Sequence, residues 1–179
     1  LDFPVDRYTM DDGLDLDSNG VMDQLYSTDN YGALILDPNG DAHVFYGIMM
    51  YMDDDLSDGS SSWFPSIDGI AYWNESMGPD TTPPSPHPGD TNLWYSDMMN
   101  DNWICQAPDL DGDGEVAGVD STGGYALYYA SRASMPNAGI AANGDIYLSF
   151  SGYTENASNG TQVFRHIYVT KSSDGGVTW

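Results

Sequence analysis

The run Asp109-Leu110-Asp111-Gly112-Asp113-Gly114-Glu115-Val116, followed by Asp120, gathers the densest set of potential ligands in the chain. Carboxylates at alternate positions of a tight loop converge on one centre, and a glycine at the sixth position allows the sharp turn. A hard divalent cation that takes several oxygens at once suits this spacing. Asp109, Asp111, Asp113 and Asp120, with the Glu115 carbonyl, are therefore the expected calcium ligands. The run Asp15-Leu16-Asp17-Ser18-Asn19-Gly20, with Asp23 at the ninth position, opens in the same way but has Tyr26 at the twelfth. Asp15, Asp17, Asn19 and Asp23 form a second candidate calcium set beside the reading of a merely solvated loop. Asp53, Asp54, Asp55 and Asp58 lack ligand spacing and read as a solvated charge run.

The 109–120 spacing is that of an EF-hand loop, with Asp in place of the closing bidentate Glu. Its flanks, Gln106-Ala107-Pro108 and Ser121-Thr122-Gly123-Gly124, do not suit long helices, so an isolated calcium loop between strands is expected. Other groups offer less. His43, His87 and His166 have no ligand spacing, so no zinc site is expected. The single Cys105 excludes an internal disulfide and reads as a small buried hydrophobe. Met49, Met50 and Met52 suit packing. Trp63, Trp73, Trp94, Tyr95 and Trp103 suit the packing of one β-blade on the next rather than a sugar-stacking face. Glycosylation sequons begin at Asn74, Asn156 and Asn159.

The background charge is extreme. Asp and Glu number 28 against 4 Lys and Arg, a formal net charge of −24 over 179 residues. Nucleic-acid binding needs a basic face to displace phosphate counterions, so no nucleic-acid partner is expected. Docking on an anionic membrane is disfavoured for the same reason, and no apolar run approaches the roughly 20 residues of a spanning helix. The opening Leu1-Asp2-Phe3-Pro4-Val5-Asp6 has no initiator Met, basic region or apolar leader, as expected of a processed or internal start. Only 3 of the acids are Glu; Asp favours turns, caps and metal loops over helix interiors. With 20 Gly, 10 Pro and 13 Tyr, the chain reads as all-β with many turns. Its 40% hydrophobic content argues against disorder.

These groups must be carried by strands expected at 31–37, 42–52, 68–73, 92–106, 125–130, 138–142, 145–150 and 164–171, with irregular loops at 53–62 and 76–91. Two stretches repeat: Ala33 to Phe45 and Gly139 to Phe150 each read as apolar strand, Asn-Gly-Asp turn and aromatic-rich strand. Each is followed after an insert by a third strand. Such repetition points to β-propeller blades with long acidic inserts. Three regions follow: an acidic segment with a possible calcium loop over 1–30, a first blade with inserts over 31–130, and an incomplete second blade over 131–179.

The closing Ser172-Ser173-Asp174-Gly175-Gly176-Val177-Thr178-Trp179 fits Ser-x-Asp-x-Gly-x-Thr-Trp at every fixed position. It resembles the Asp box, or bacterial neuraminidase repeat, of sialidase-like β-propellers, where the box joins the third and fourth strands of a blade. The corresponding place in the first repeat, Trp73 to Gly78, is no Asp box. The resemblance covers 132–179 well and 31–75 loosely. It implies a partial propeller belonging to a larger chain or assembly. The box is structural and carries no catalysis. Sialidases add three arginines, a Tyr–Glu nucleophile pair and an Asp acid/base. The first arginine's motif falls here on Ser134-Met135-Pro136, and Arg7, Arg132 and Arg165 are the only arginines. No catalytic residue is nominated.

The expected function is a secreted or cell-surface, calcium-stabilised β-propeller module with a non-catalytic binding or structural role, its partner a carbohydrate or cell-surface protein. The alternatives are a sialidase-type exo-glycosidase whose catalytic residues lie mostly outside this chain, and a surface-layer or filament subunit.

Overall fold

The structure is a computed structural model that describes residues 15, 19–52, 57–60, 62–64, 69–78, 85–87, 90–95, 102–114, 116, 130–159 and 163–179. Among the described residues ten strands build two sheets, and neither sheet closes on itself. The first sheet contains β1 (Gln24–Leu36), β2 (Ala42–Met52), β3 (Ser62–Phe64), β4 (Ile70–Asn74), β5 (Ser85–His87), β6 (Asp90–Tyr95) and β7 (Trp103–Cys105). Its order is β5-β6-β1-β2-β4-β7, with β3 also paired to β2. Pairing is antiparallel except for a short parallel match of β1 with β6. The second sheet is an antiparallel meander of β8 (Ala133–Ile140), β9 (Ile146–Ser158) and β10 (Val163–Ser172).

The sequence repeat is a repeat of geometry. In the β1–β2 turn, Asp37 N donates to Asp41 O (2.9 Å) and Gly40 N to Asp37 O (3.0 Å). In the β8–β9 turn, Ala141 N donates to Asp145 O and Gly144 N to Ala141 O, both at 2.9 Å. Short loops of this kind, ending on a glycine, fix the register of the strands they join. Several strands extend beyond the sequence expectation: β1 begins at Gln24, and β8 and β9 are longer at one end. The 76–91 stretch is not wholly irregular, since Ser85-Pro86-His87 pairs with β6. It does so at the sheet edge, where proline's missing N–H is tolerated. The 53–62 loop gives way to β3 at Ser62. The strand expected at 125–130 lies outside the described residues except for Ala130, which is buried and precedes β8.

The two sheets pack face to face, with β8 against β1 and β2. Phe45, Ile70 and Tyr72 of the first sheet meet Ala133, Ile146, Leu148 and Phe150 of the second. Alternation along each strand turns these residues inward. Tyr26, Ile48 and Ala71 form another cluster with Tyr46, Met50 and Trp103, and Tyr26 meets the Trp103 ring edge-on at 5.2 Å. A third cluster, Ala107, Tyr153 and Val163 with Val116, seats the acidic loop on the second sheet.

Buried polar groups bind the sheets together. Asp29 sits at a register shift in β1 and is almost fully buried. Its carboxylate accepts from Tyr31 N (3.0 Å), Ser131 N (3.0 Å) and the Ser134 hydroxyl. Gly47 lies so close that a Cβ there would collide with this carboxylate. Arg165 clamps the same corner: its guanidinium donates to Ser131 O (2.9 Å), Arg132 O (3.2 Å), Ser151 O (2.6 Å) and Ser151 Oγ (2.8 Å). It also lies 4.8 Å from the centre of the Tyr153 ring.

Candidate metal centre

The loop after β7 is wound by its own first carboxylate. Asp109 Oδ1 accepts from Gly112 N (2.6 Å) and Oδ2 from Gly114 N (2.9 Å). Asp113 N donates to Asp111 Oδ1 (3.2 Å). These bonds hold the alternate side chains on one side of the loop. From β9, Glu155 reaches the same place: its Oε2 accepts from Leu110 N (2.5 Å) and Asp111 N (3.1 Å). Carboxylate oxygens of Asp109, Asp111, Asp113 and Glu155 all lie within 4.8 Å of one another. The three aspartates are exposed, whereas Glu155 is only 4% exposed. Glu115 and Asp120, expected at the loop's seventh and twelfth positions, lie outside the described residues.

The electrostatics are uneven. The amides of Gly114 and then Gly112 hold the Asp109 carboxyl below its ordinary range. Asp111 is pushed up, first by loss of surrounding water and then by the charges of Asp113, Glu155 and Asp109, against the pull of the Asp113 amide. Four close carboxylates repel one another, and an oxygen-seeking cation relieves that repulsion. The donor set is entirely hard oxygen, which suits calcium or magnesium rather than a thiophilic metal.

Sequence reasoning missed Glu155. It lies far along the chain from the loop, so no ligand spacing could include it. The only local signal is its being one of 3 glutamates in a chain that otherwise uses aspartate. The second candidate run shares the winding of the first. Asp15 accepts from Asn19 N and Gly20 N, both at 2.9 Å, and Asn19 Oδ1 accepts from Val21 N (2.7 Å). Asp23 is fully buried, Asp17 lies outside the described residues, and Asp15 and Asp23 join no acidic cluster among those described.

The Ser172–Trp179 segment is a closed turn. Asp174 Oδ1 accepts from the Ser172 hydroxyl (2.7 Å), Val177 N (3.1 Å) and Thr178 N (2.9 Å), and Oδ2 from the Thr178 hydroxyl (2.6 Å). These bonds, led by those from Thr178, bring the carboxyl down to about 2. Trp179 meets Tyr72 edge-on at 5.3 Å and Phe45 at 5.6 Å, so the turn locks onto the first sheet. Tyr72 Oη accepts from Asn74 Nδ2 (2.9 Å), donates to Gly175 O (3.3 Å) and lies 2.7 Å from His43 Nδ1.

A cleft of about 330 Å³ opens beside this turn, lined by Asp37, Asp41, His43, Asn74, Ser76 and Gly175, among others. Asp37 is committed to its hairpin, accepting from Asn39 N, Asn39 Nδ2 and Asp41 N. Buried Asn74 gives its amide to Tyr72 and its carbonyl oxygen to Ser76, which leaves this sequon closed to modification. Asn156 and Asn159 are exposed. Burial raises the Cys105 thiol to about 12, the behaviour of a packing residue rather than a nucleophile. Ser134 bonds Asp29, and Arg165 spends its donors on backbone and Ser151 oxygens. No family model, curated protein or solved structure matches the chain.

Proposed function

We propose that this chain is a calcium-stabilised, secreted or cell-surface β-module with a non-catalytic binding or structural role, built from blades of the sialidase-like Asp-box type. The antiparallel meanders β1-β2-β4-β7 and β8-β9-β10 and the Asp174-centred turn support the blade reading. The observation that carries the calcium reading is the convergence of Asp109, Asp111 and Asp113 with Glu155 from a distant strand. A cation held there fastens the loop to the second sheet, so binding free energy becomes folding free energy. A carbohydrate or another surface protein is the proposed partner class.

Isothermal titration of the chelator-treated protein with calcium tests this. Asp111→Ala and Glu155→Gln should each weaken binding about tenfold or more, since affinity follows ligand charge count. Asp58→Ala, in an acidic turn elsewhere, should not. Absence of calcium binding, with a melting curve indifferent to EDTA, would sink the reading.

A further inference from the structure

We infer that the cleft beside the Asp174 turn binds a primary alkylammonium group, the chemistry shared by a lysine side chain and a free amine. The internal repeat builds this cleft. The turn between β1 and β2 supplies Asp37, Asn39 and Asp41, and the matching β8–β9 hairpin supplies Ile140, Gly144 and Ile146. Gly175 of the Asp174 turn, His43 of β2, and Asn74 and Ser76 at the end of β4 contribute the rest of the polar lining. At about 330 Å³ the cleft has the size of a small-molecule site.

The account of donors and acceptors selects the ligand. Ser76 Oγ gives its one hydrogen to Asn74 Oδ1 (2.6 Å), so toward anything further it can only accept. The backbone amides of Asn39, Asp41 and Gly144 are spent inside the two turns. Asp37 takes three hydrogen bonds, and the Asp41 amide leads in holding its carboxyl below the ordinary range, so its charge persists at neutral pH. Asp41 is the open group: no described residue donates to its carboxylate, and no Lys or Arg lines the cleft. His43 is only 6% exposed; its Nδ1 lies 2.7 Å from Tyr72 Oη, and no described residue partners Nε2. With the hydrogen on Nδ1, Nε2 is a further acceptor. The unspent capacity is thus chiefly accepting and negatively charged. An ammonium brings three donors, no acceptor and a positive charge. A carboxylate or phosphate would meet Asp37 and Asp41 as like charges, and a neutral sugar would gain nothing from theirs. Pro38, Ile140 and Ile146 offer apolar surface for the methylenes that carry the ammonium. The site is separate from the 109–113 loop and does not rest on calcium there.

Titration of the full chain with Nα-acetyl-lysine amide, followed by ¹H–¹⁵N correlation spectra with EDTA and about 0.15 M sodium chloride, tests this. Saturable shifts should gather at Asp41, His43, Ser76, Gly144 and Gly175. The Nε-acetylated compound, which has lost the charge and two donors, should leave the spectrum unchanged. Asp41→Asn should weaken binding on the order of tenfold while leaving the melting temperature in place, because that carboxylate holds no bond to a described residue. Ser76→Ala should weaken it severalfold and replaces Asp41→Asn if that variant does not fold. Cadaverine and a lysine-containing peptide distinguish the sources: tighter binding of cadaverine points to a free amine, and tighter binding of the peptide to a protein partner. Shifts spread over the whole acidic surface, or an affinity indifferent to Asp41→Asn, would overturn the proposal. So would galactose shifting the cleft signals where the amines do not. Failure of the amine titration with calcium binding retained would remove this site alone.

Discussion

The carboxylate of Asp174 takes four hydrogen bonds within a single turn, and its pKa falls to about 2 from an ordinary 3.8. A depressed native value means that the charged form is bound better in the folded state. That stabilisation is complete above the unfolded value and fades as pH falls from about 4 through about 2. Asp174→Ala should therefore lower the melting temperature at neutral pH, and its deficit against the parent should shrink over that acid range. A deficit independent of pH in parallel thermal scans would refute the assignment. At this scale the sequence was most legible where partners are close in the chain. Ser172, Asp174 and Thr178 lie within one turn, and Asp109 to Asp113 within one loop. Glu155 escaped because its partners are joined by folding, not by spacing. Asn74 escaped for a related reason: its sequon is intact, but its amide is used by Tyr72.

Among the elements, β8 is held at its entry by side chains of two other strands, Asp29 of β1 and Arg165 of β10. Asp29 accepts from Ser131 N and Ser134 Oγ at its entry, and Arg165 holds the carbonyls of Ser131 and Arg132. Asp29→Ala would leave buried donors unsatisfied and should cost on the order of 3 kcal/mol in urea unfolding. Loss below about 1 kcal/mol would show that water replaces the carboxylate. The join between the turn at 172–179 and the first sheet is equally tight. Gly176 has φ +96° and faces Tyr72 Oη so closely that a Cβ cannot fit. Gly176→Ala should cost about 2–4 kcal/mol, combining backbone strain with overpacking. The main strands were readable because β-branched and aromatic runs stop at Asn-Gly turns. Strand β5 was not, because Pro86 reads as a breaker and only its edge position permits pairing. The stacking of β8 on β1 and β2 was beyond periodicity, which gives the face of a strand but not what that face meets.

At the scale of the molecule, one core drawn from both sheets opposes a net charge of −24. Phe45 is fully buried and touches the Tyr72 and Trp179 rings, so Phe45→Ala should cost about 3–5 kcal/mol and loosen both sheets at once. Charge acts the other way. Self-repulsion among exposed carboxylates falls as ions screen it, so sodium chloride should raise the melting temperature gradually. Bound calcium acts by a different law, stabilising by about 2.7 kcal/mol at a hundred times its dissociation constant. The two are separable in thermal scans. Calcium added at constant ionic strength should raise the midpoint further and saturate, and Asp111→Ala or Glu155→Gln should abolish that increment while leaving the response to sodium chloride intact. Should magnesium or matched sodium chloride reproduce the whole calcium effect in the parent chain, screening would account for it. The four carboxylates at 109, 111, 113 and 155 would then be part of the acidic surface and not a metal centre.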